Sequence, residues 1–251
     1  MNARSILRLS ELTDDAPSSS SFEGKILVLI GSYAPVHQGH VELLNNAANW
    51  YIEQGITVKA AVLAPNSESY VTRKLSNSGY HLELGSITNR IQTISEFVPD
   101  TLPDSDVITV VDDLSCIEVD GHGFINTITV KNIAKRFGCK RSDVVMIVGA
   151  DQLGSMKGYL KHNDCLVVSR PGQNDQMFEL IRVPWVQRAL RMFKLTIIDR
   201  PESCVSMSST EIRKQWSAKY RSTHLDIPTV RISIVRPDQI IRRDEEQVPV
   251  M

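Results

Sequence analysis

Cysteine is scarce and scattered. The 251 residues hold four, Cys116, Cys139, Cys165 and Cys204, with no C-x-x-C pair among them. That spacing supports neither a disulfide framework nor a zinc site. No apolar run nears the roughly 20 residues that cross a bilayer. The leading stretch "MNARSILRLSELTDDAPSSSSFEGK" lacks a signal peptide's apolar block. Its Asp14, Asp15 and Ser18 to Ser21 read as a flexible lead-in over residues 1–23. Charge of one sign is also missing: the formal net charge of -1 gives no global field to draw nucleic acid or a membrane surface. Any polyanion must therefore be held by a local site. Neither nucleic acid nor membrane is expected as a partner. What remains is a reduced, intracellular protein, cytoplasmic or nuclear, whose 42% hydrophobic and 23% charged residues suffice for a packed core.

Short apolar runs alternate with helical patterns. "KILVLI" (25–30) is rich in branched residues and ends at Gly31, as in a strand buried on both faces. Further strands are expected at 58–65, 107–111, 143–151, 165–172 and 195–199, and helices at 39–53, 87–98, 124–138 and 208–220. Strands alternating with helices imply an α/β fold, a Rossmann-like doubly wound parallel sheet with right-handed crossovers. No internal repeat or linker divides it, so residues 24–237 read as a single domain. The charged tail, 238–251, is set apart from it.

"GSYAPVHQGH" (31–40) follows the first strand directly. In a parallel α/β sheet, ligands bind beyond the carboxyl ends of the strands. A helix opening near Gly39 aims its unpaired N–H groups and positive dipole end there, which makes a phosphate site. His37 and His40 are one helical turn apart and share a face, where two imidazoles can donate to phosphate oxygens. A metal site is the competing reading, but no carboxylate or cysteine cluster completes one, so no protein-held metal is expected. A second stretch, "MSSTEIR" (207–213), repeats the logic. Ser208, Ser209 and Thr210 place hydroxyls and N–H groups at a helix start, and Arg213 lies one turn on. Ser208 and Glu211 also fit a capping box. Asp112 and Asp113 at a strand end read as a solvated or capping pair. Trp50, Trp185 and Trp216 read as core or interface.

H-x-G-H after a strand, joined by S-S-T-x-I-R, resembles the signature of the HxGH nucleotidyltransferase superfamily. "IVGAD" (147–151), "VVSRPG" (167–172) and "PNSESY" (65–70) resemble segments of the nicotinamide/nicotinate mononucleotide adenylyltransferases within it. Over residues 25–230 the resemblance implies one reaction: ATP and a pyridine mononucleotide, NMN or NaMN, give the dinucleotide and pyrophosphate. It implies contacts to the α- and β-phosphates from His40, supported by His37. Arg213 and the turn 208–210 would hold the β- and γ-phosphates. Gly31, Ser32 and Tyr33 would line the cleft between the two nucleotides. Gly149 would allow close approach, and Asp151 would meet ribose or base edges. Arg170 is a further contact implied by the strand-R-x-G segment. Mg²⁺ would ride mainly on substrate oxygens and water.

The same resemblance has departures. Leu114 stands where the family's V-D-x-W segment has a tryptophan that stacks on the pyridine, and stacking of that kind is worth about 1 kcal/mol. Glu68 replaces an aspartate. Thr72 replaces a lysine, with Arg73 and Lys74 next to it. The second substrate is therefore the less determined one. A cytidylyltransferase or phosphopantetheine adenylyltransferase activity is the alternative, as is a nucleotide-binding protein that has lost turnover. The oligomeric state, a homo-oligomer included, is left open.

Overall fold

The computed structural model describes residues 6–12, 22–77, 82–103, 105–115, 125–161, 163–169, 174–192, 194–198 and 212–214. All belong to the compact unit Met1–Lys214. Among them are seven strands: β1 (Leu7–Arg8), β2 (Lys25–Gly31), β3 (Val58–Pro65), β4 (Ile108–Val111), β5 (Val144–Gly149), β6 (Cys165–Val168) and β7 (Leu195–Ile198). They form one sheet in the order β1-β4-β3-β2-β5-β6-β7, and every pairing is parallel. The helices are α1 (Gln38–Glu53), α2 (Glu68–Asn77), α3 (Ile87–Phe97), α4 (Ile125–Arg136), α5 (Asn174–Ile181) and α6 (Pro184–Arg191).

The central strands explain the doubly wound architecture. Along β2, Leu27 and Leu29 enter one core cluster with α1 and α3, while Ile26 and Val28 enter another with α4 and α6. A strand apolar at every position has two faces to bury, and helices cover both. From β2 the chain first builds toward β3 and β4, then crosses to β5, β6 and β7 on the other side. The order reverses between β2 and β5, and ligands bind in the crevice at such a reversal. The facing register, Leu29 opposite Ile147, runs on toward the glycines that end the two strands, Gly31 and Gly149.

Several elements differ from the sequence expectation. Residues 6–12 are not a loose lead-in: β1 joins the sheet edge beside β4, and Ile6 and Leu9 are buried. The expected strands at 143–151 and 165–172 end earlier, at Gly149 and Val168. Helices α2, α5 and α6 fall where the sequence pattern predicts no element. Asp112 is fully buried rather than solvated, and it does cap, accepting the N–H groups of Leu114 and Ser115. Trp50 and Trp185 pack half-buried against the two clusters, while Trp216 lies outside the described residues. No helix among the described residues is long and apolar enough to cross a membrane.

Candidate functional site

The loop between β2 and α1 is built by its own side chains. Tyr33, not a glycine, takes the left-handed conformation, with φ at 47°. Its ring folds back over Gly31, where a Cβ would stand 3.1 Å from the ring. Its hydroxyl donates to the Leu29 carbonyl at 2.6 Å. A side chain at position 31 would thus crowd the Tyr33 ring, and it is space rather than φ that favours glycine there. Tyr33 is only 1% exposed, and burial drives its hydroxyl pKa well above the usual value. The ring itself belongs to the first core cluster, so what Tyr33 offers the cleft is its place beside His40 rather than exposed ring surface.

His37 and His40 close the start of α1 as a capping box made of imidazoles. His37 is the N-cap and its Nδ1 accepts from the Gly39 N–H at 3.2 Å. His40 Nδ1 reaches back to accept the His37 N–H, also at 3.2 Å. Serine and glutamate usually make this pair of bonds. The consequence is chemical. A ring nitrogen that accepts a hydrogen bond carries no proton, so with these bonds made the tautomer assigned to each ring has its N–H at Nε2. Each ring therefore has one N–H donor. The rings lie 3.9 Å apart, and Tyr33 packs on His40 with centroids 4.8 Å apart.

Three cations from three places converge on this loop. Arg213, described with only its neighbours Ile212 and Lys214, is buried, and its Nη1 donates to the Ala34 carbonyl. Two stretches of chain 179 residues apart thereby meet at the loop between β2 and α1. Arg90 of α3, also buried, donates from Nη1 to the Ser32 carbonyl and from Nε to the Gly85 carbonyl, both at 3.0 Å. Lys74 of α2 donates to Ser32 Oγ at 3.3 Å. Partial burial, then the nearby Arg213 charge, lower the Lys74 pKa, and Asp151 acts in the opposite direction.

Two of these cations are absent from the site that the sequence predicts. Lys74 enters it only as a neighbour of Thr72. Position 72 faces the turn Leu82–Gly85 so closely that a Cβ on Gly85 would lie 2.6 Å from Thr72 Oγ1. The lysine that turns to the loop is two residues on. Arg90 stands on the apolar stripe of α3 with Ile87, Ile91 and Ile94, and a cation at that phase is the signal that it is held by partners.

The structure thus brings together Gly31, Ser32, Tyr33, His37, His40 and Arg213, with Asp151 in electrostatic reach through Lys74. Gly149 ends the adjacent strand, and Asp151 follows, exposed, in the short helix Ala150–Lys157. Leu114 is separate. It lies beyond the end of β4, two strands from β2, half-buried against the second cluster. Arg170, Ser208, Ser209 and Thr210 lie outside the described residues. Among those described, no group of three or more His, Cys, Asp or Glu could hold a metal ion.

Of the comparisons with known proteins, the family model is the one that places the chain. A solved structure of a mutant PPC decarboxylase is similar at 13% identity and a TM-score of 0.27, covering 80% of this chain and 99% of its own. No curated protein matches the sequence. The family model described as "Cytidylyltransferase-like" matches residues 28–215, well over half the chain, from the middle of β2 past Arg213. The chain belongs to this cytidylyltransferase-like family of nucleotidyltransferases.

Proposed function

We propose that the protein is an adenylyltransferase that joins ATP to a pyridine mononucleotide, NMN or NaMN, with release of pyrophosphate. The observation that carries the reading is the meeting of Arg213 with the loop that holds His37 and His40. The mononucleotide 5'-phosphate attacks the α-phosphorus of ATP in line with the leaving pyrophosphate. A phosphate monoester has its second pKa near about 6 and is mostly dianionic at neutral pH, so no general base is needed. Catalysis is then positioning and charge neutralisation. His40, with His37 beside it, donates Nε2–H to the α- and β-phosphates. Arg213, Lys74 and the turn 208–210 neutralise the outer phosphates. Gly31, Ser32 and Gly149 form the floor between the nucleotides, and Asp151 meets ribose or base edges.

A Mg²⁺ ion would be held mainly by the triphosphate oxygens and water and would supply charge shielding there. The chain's own contribution is the fixed set of N–H donors and cations around the loop.

A second reading stays within the family. Leu114 packs on the core with no π face to offer, which favours an acceptor other than a pyridine mononucleotide, as in a cytidylyltransferase or phosphopantetheine adenylyltransferase. One experiment separates the two. The protein is incubated with ATP or CTP and each of NMN, NaMN, phosphopantetheine and phosphocholine, and pyrophosphate release is followed. Turnover with ATP and NMN or NaMN is the expected result. Turnover only with another pair transfers the assignment, and none with any pair refutes it.

A further inference from the structure

The sheet edge carries a device that the phosphate loop does not use. Leu7 pairs with Val110 and Arg8 with Val111, so the pairing stops one residue before Asp112. The chain then turns through Leu9–Glu11. Leu9 is buried in the second cluster with Val130 and Ile133 of α4. The Leu12 carbonyl accepts from Arg136 Nη1 at 2.8 Å. Between these anchors Ser10 makes two bonds to the Asp113 carboxylate, its N–H at 3.0 Å and its hydroxyl at 2.5 Å.

From the other side the same turn is held by Asp112. One of its oxygens takes the N–H groups of Leu114 and Ser115 at 3.1 and 3.0 Å. Asn132 of α4 donates to Ser115 Oγ at 3.2 Å. Two successive carboxylates therefore fix one turn, Asp112 from within and Asp113 through a segment 103 residues away in sequence. The turn stands at the carboxyl end of β4, on the substrate end of the sheet.

We infer that residues 6–12 are a strap that sets the position of residues 112–115, and through Leu114 the fit of the second substrate. Ser10 and Asp113 are positioning residues for the acceptor, not for ATP. This rests on the adenylyltransferase reading and adds to it the element that shapes the acceptor side. A displacement of about 1 Å at a substrate-positioning residue suffices to cost up to about a hundredfold in rate, so a strap bonded to the turn has leverage without touching substrate.

The test uses the full chain. Ser10→Ala removes the hydroxyl bond and leaves the backbone bond, Asp113→Ala removes both, and Ser10→Thr keeps a hydroxyl. The KM for the acceptor should rise about fivefold in Ser10→Ala and further in Asp113→Ala, with the KM for ATP unchanged, on the scale of lost hydrogen bonds to a charged group. Ser10→Thr should restore it, and the double Ala variant should be no worse than Asp113→Ala alone. Equal movement of both KM values, or of neither, overturns the inference. A second readout needs no activity. Amide hydrogen exchange at Leu114 and Ser115 should quicken about fivefold in Ser10→Ala at unchanged melting temperature, as expected for local opening. Unchanged exchange there overturns the strap, even if the wild-type protein turns over no substrate pair and the functional reading has already failed.

Discussion

Arg213→Met separates holding the loop from holding the nucleotide. The arginine is 4% exposed and donates to the carbonyl of Ala34, itself 1% exposed. Removing it leaves a buried carbonyl without that donor, which costs about 1–3 kcal/mol. For a domain of this size that is a fall in melting temperature of about 2–12 °C. If Arg213 also neutralises the triphosphate, kcat/KM should drop by about 10² to 10³, the scale of losing one preorganised donor. Arg213→Lys keeps the charge as a compact point and gives up the planar fork, so it should recover less than half of the loss on a logarithmic scale. The two measurements are a thermal melt and initial rates of pyrophosphate release at saturating acceptor. A melting temperature that falls while kcat/KM stays within about threefold of wild type would show that Arg213 only braces the loop, and the proposed triphosphate site would lose its second arm.

His40→Ala should lower turnover at least about a hundredfold, with a loss of about 1 kcal/mol in stability from the broken imidazole cap; near-normal rates would remove His40 from the chemistry. Lys74 loses its proton at a lower pH than a free lysine, because burial and Arg213 outweigh Asp151. ATP affinity measured by calorimetry should therefore be full below that lowered pKa and decline as pH rises through it. Lys74→Arg, which stays protonated, should flatten the decline; a curve that the replacement does not move counts against Lys74 as a phosphate ligand. Leu114→Trp should tighten NMN or NaMN binding by up to about tenfold through stacking, and unchanged or weaker affinity would count against a pyridine pocket beside β4.

The α/β architecture is legible because β2 and β5 state their environment in composition alone. "KILVLI" and "VVMIVG" are almost wholly apolar, as a strand covered on both faces requires. The loop between β2 and α1 is legible because a strand end, a glycine and a helix start are adjacent in sequence. What escapes depends on tertiary contact. β1 is two residues long, too short for any periodicity, and it exists because β4 offers an edge and the second cluster takes in Leu9. Helix α2 has only Val71 and Leu75 buried, too thin a stripe to read. Within it, the cation that meets the loop is Lys74, because residue 72 is turned onto Gly85. The H-x-x-H cap is hidden for another reason: histidines suggest ligands, and a capping box is usually sought in serine and glutamate.

On the proposed reading these details prepare the loop for an anion. A bare loop offers carbonyl oxygens as well as N–H groups, and the oxygens repel phosphate. Here the Ser32 carbonyl is taken by Arg90 and the Ala34 carbonyl by Arg213, so the guanidiniums offset the loop's negative dipoles. The two Nδ1 atoms are occupied by the backbone N–H groups of His37 and Gly39, which leaves Nε2–H as the donor of each ring. On the proposed reading, the bonds that close the helix start occupy both Nδ1 atoms and set the orientation of each ring before a ligand binds. It follows that Arg90→Met, a residue placed behind the loop, should weaken ATP binding while leaving His37 and His40 in the chain. Surface plasmon resonance with immobilised protein should show ATP affinity reduced about tenfold, the scale of two charge-assisted bonds lost. ATP affinity equal to wild type in a folded Arg90→Met protein would show that the loop holds its shape unaided.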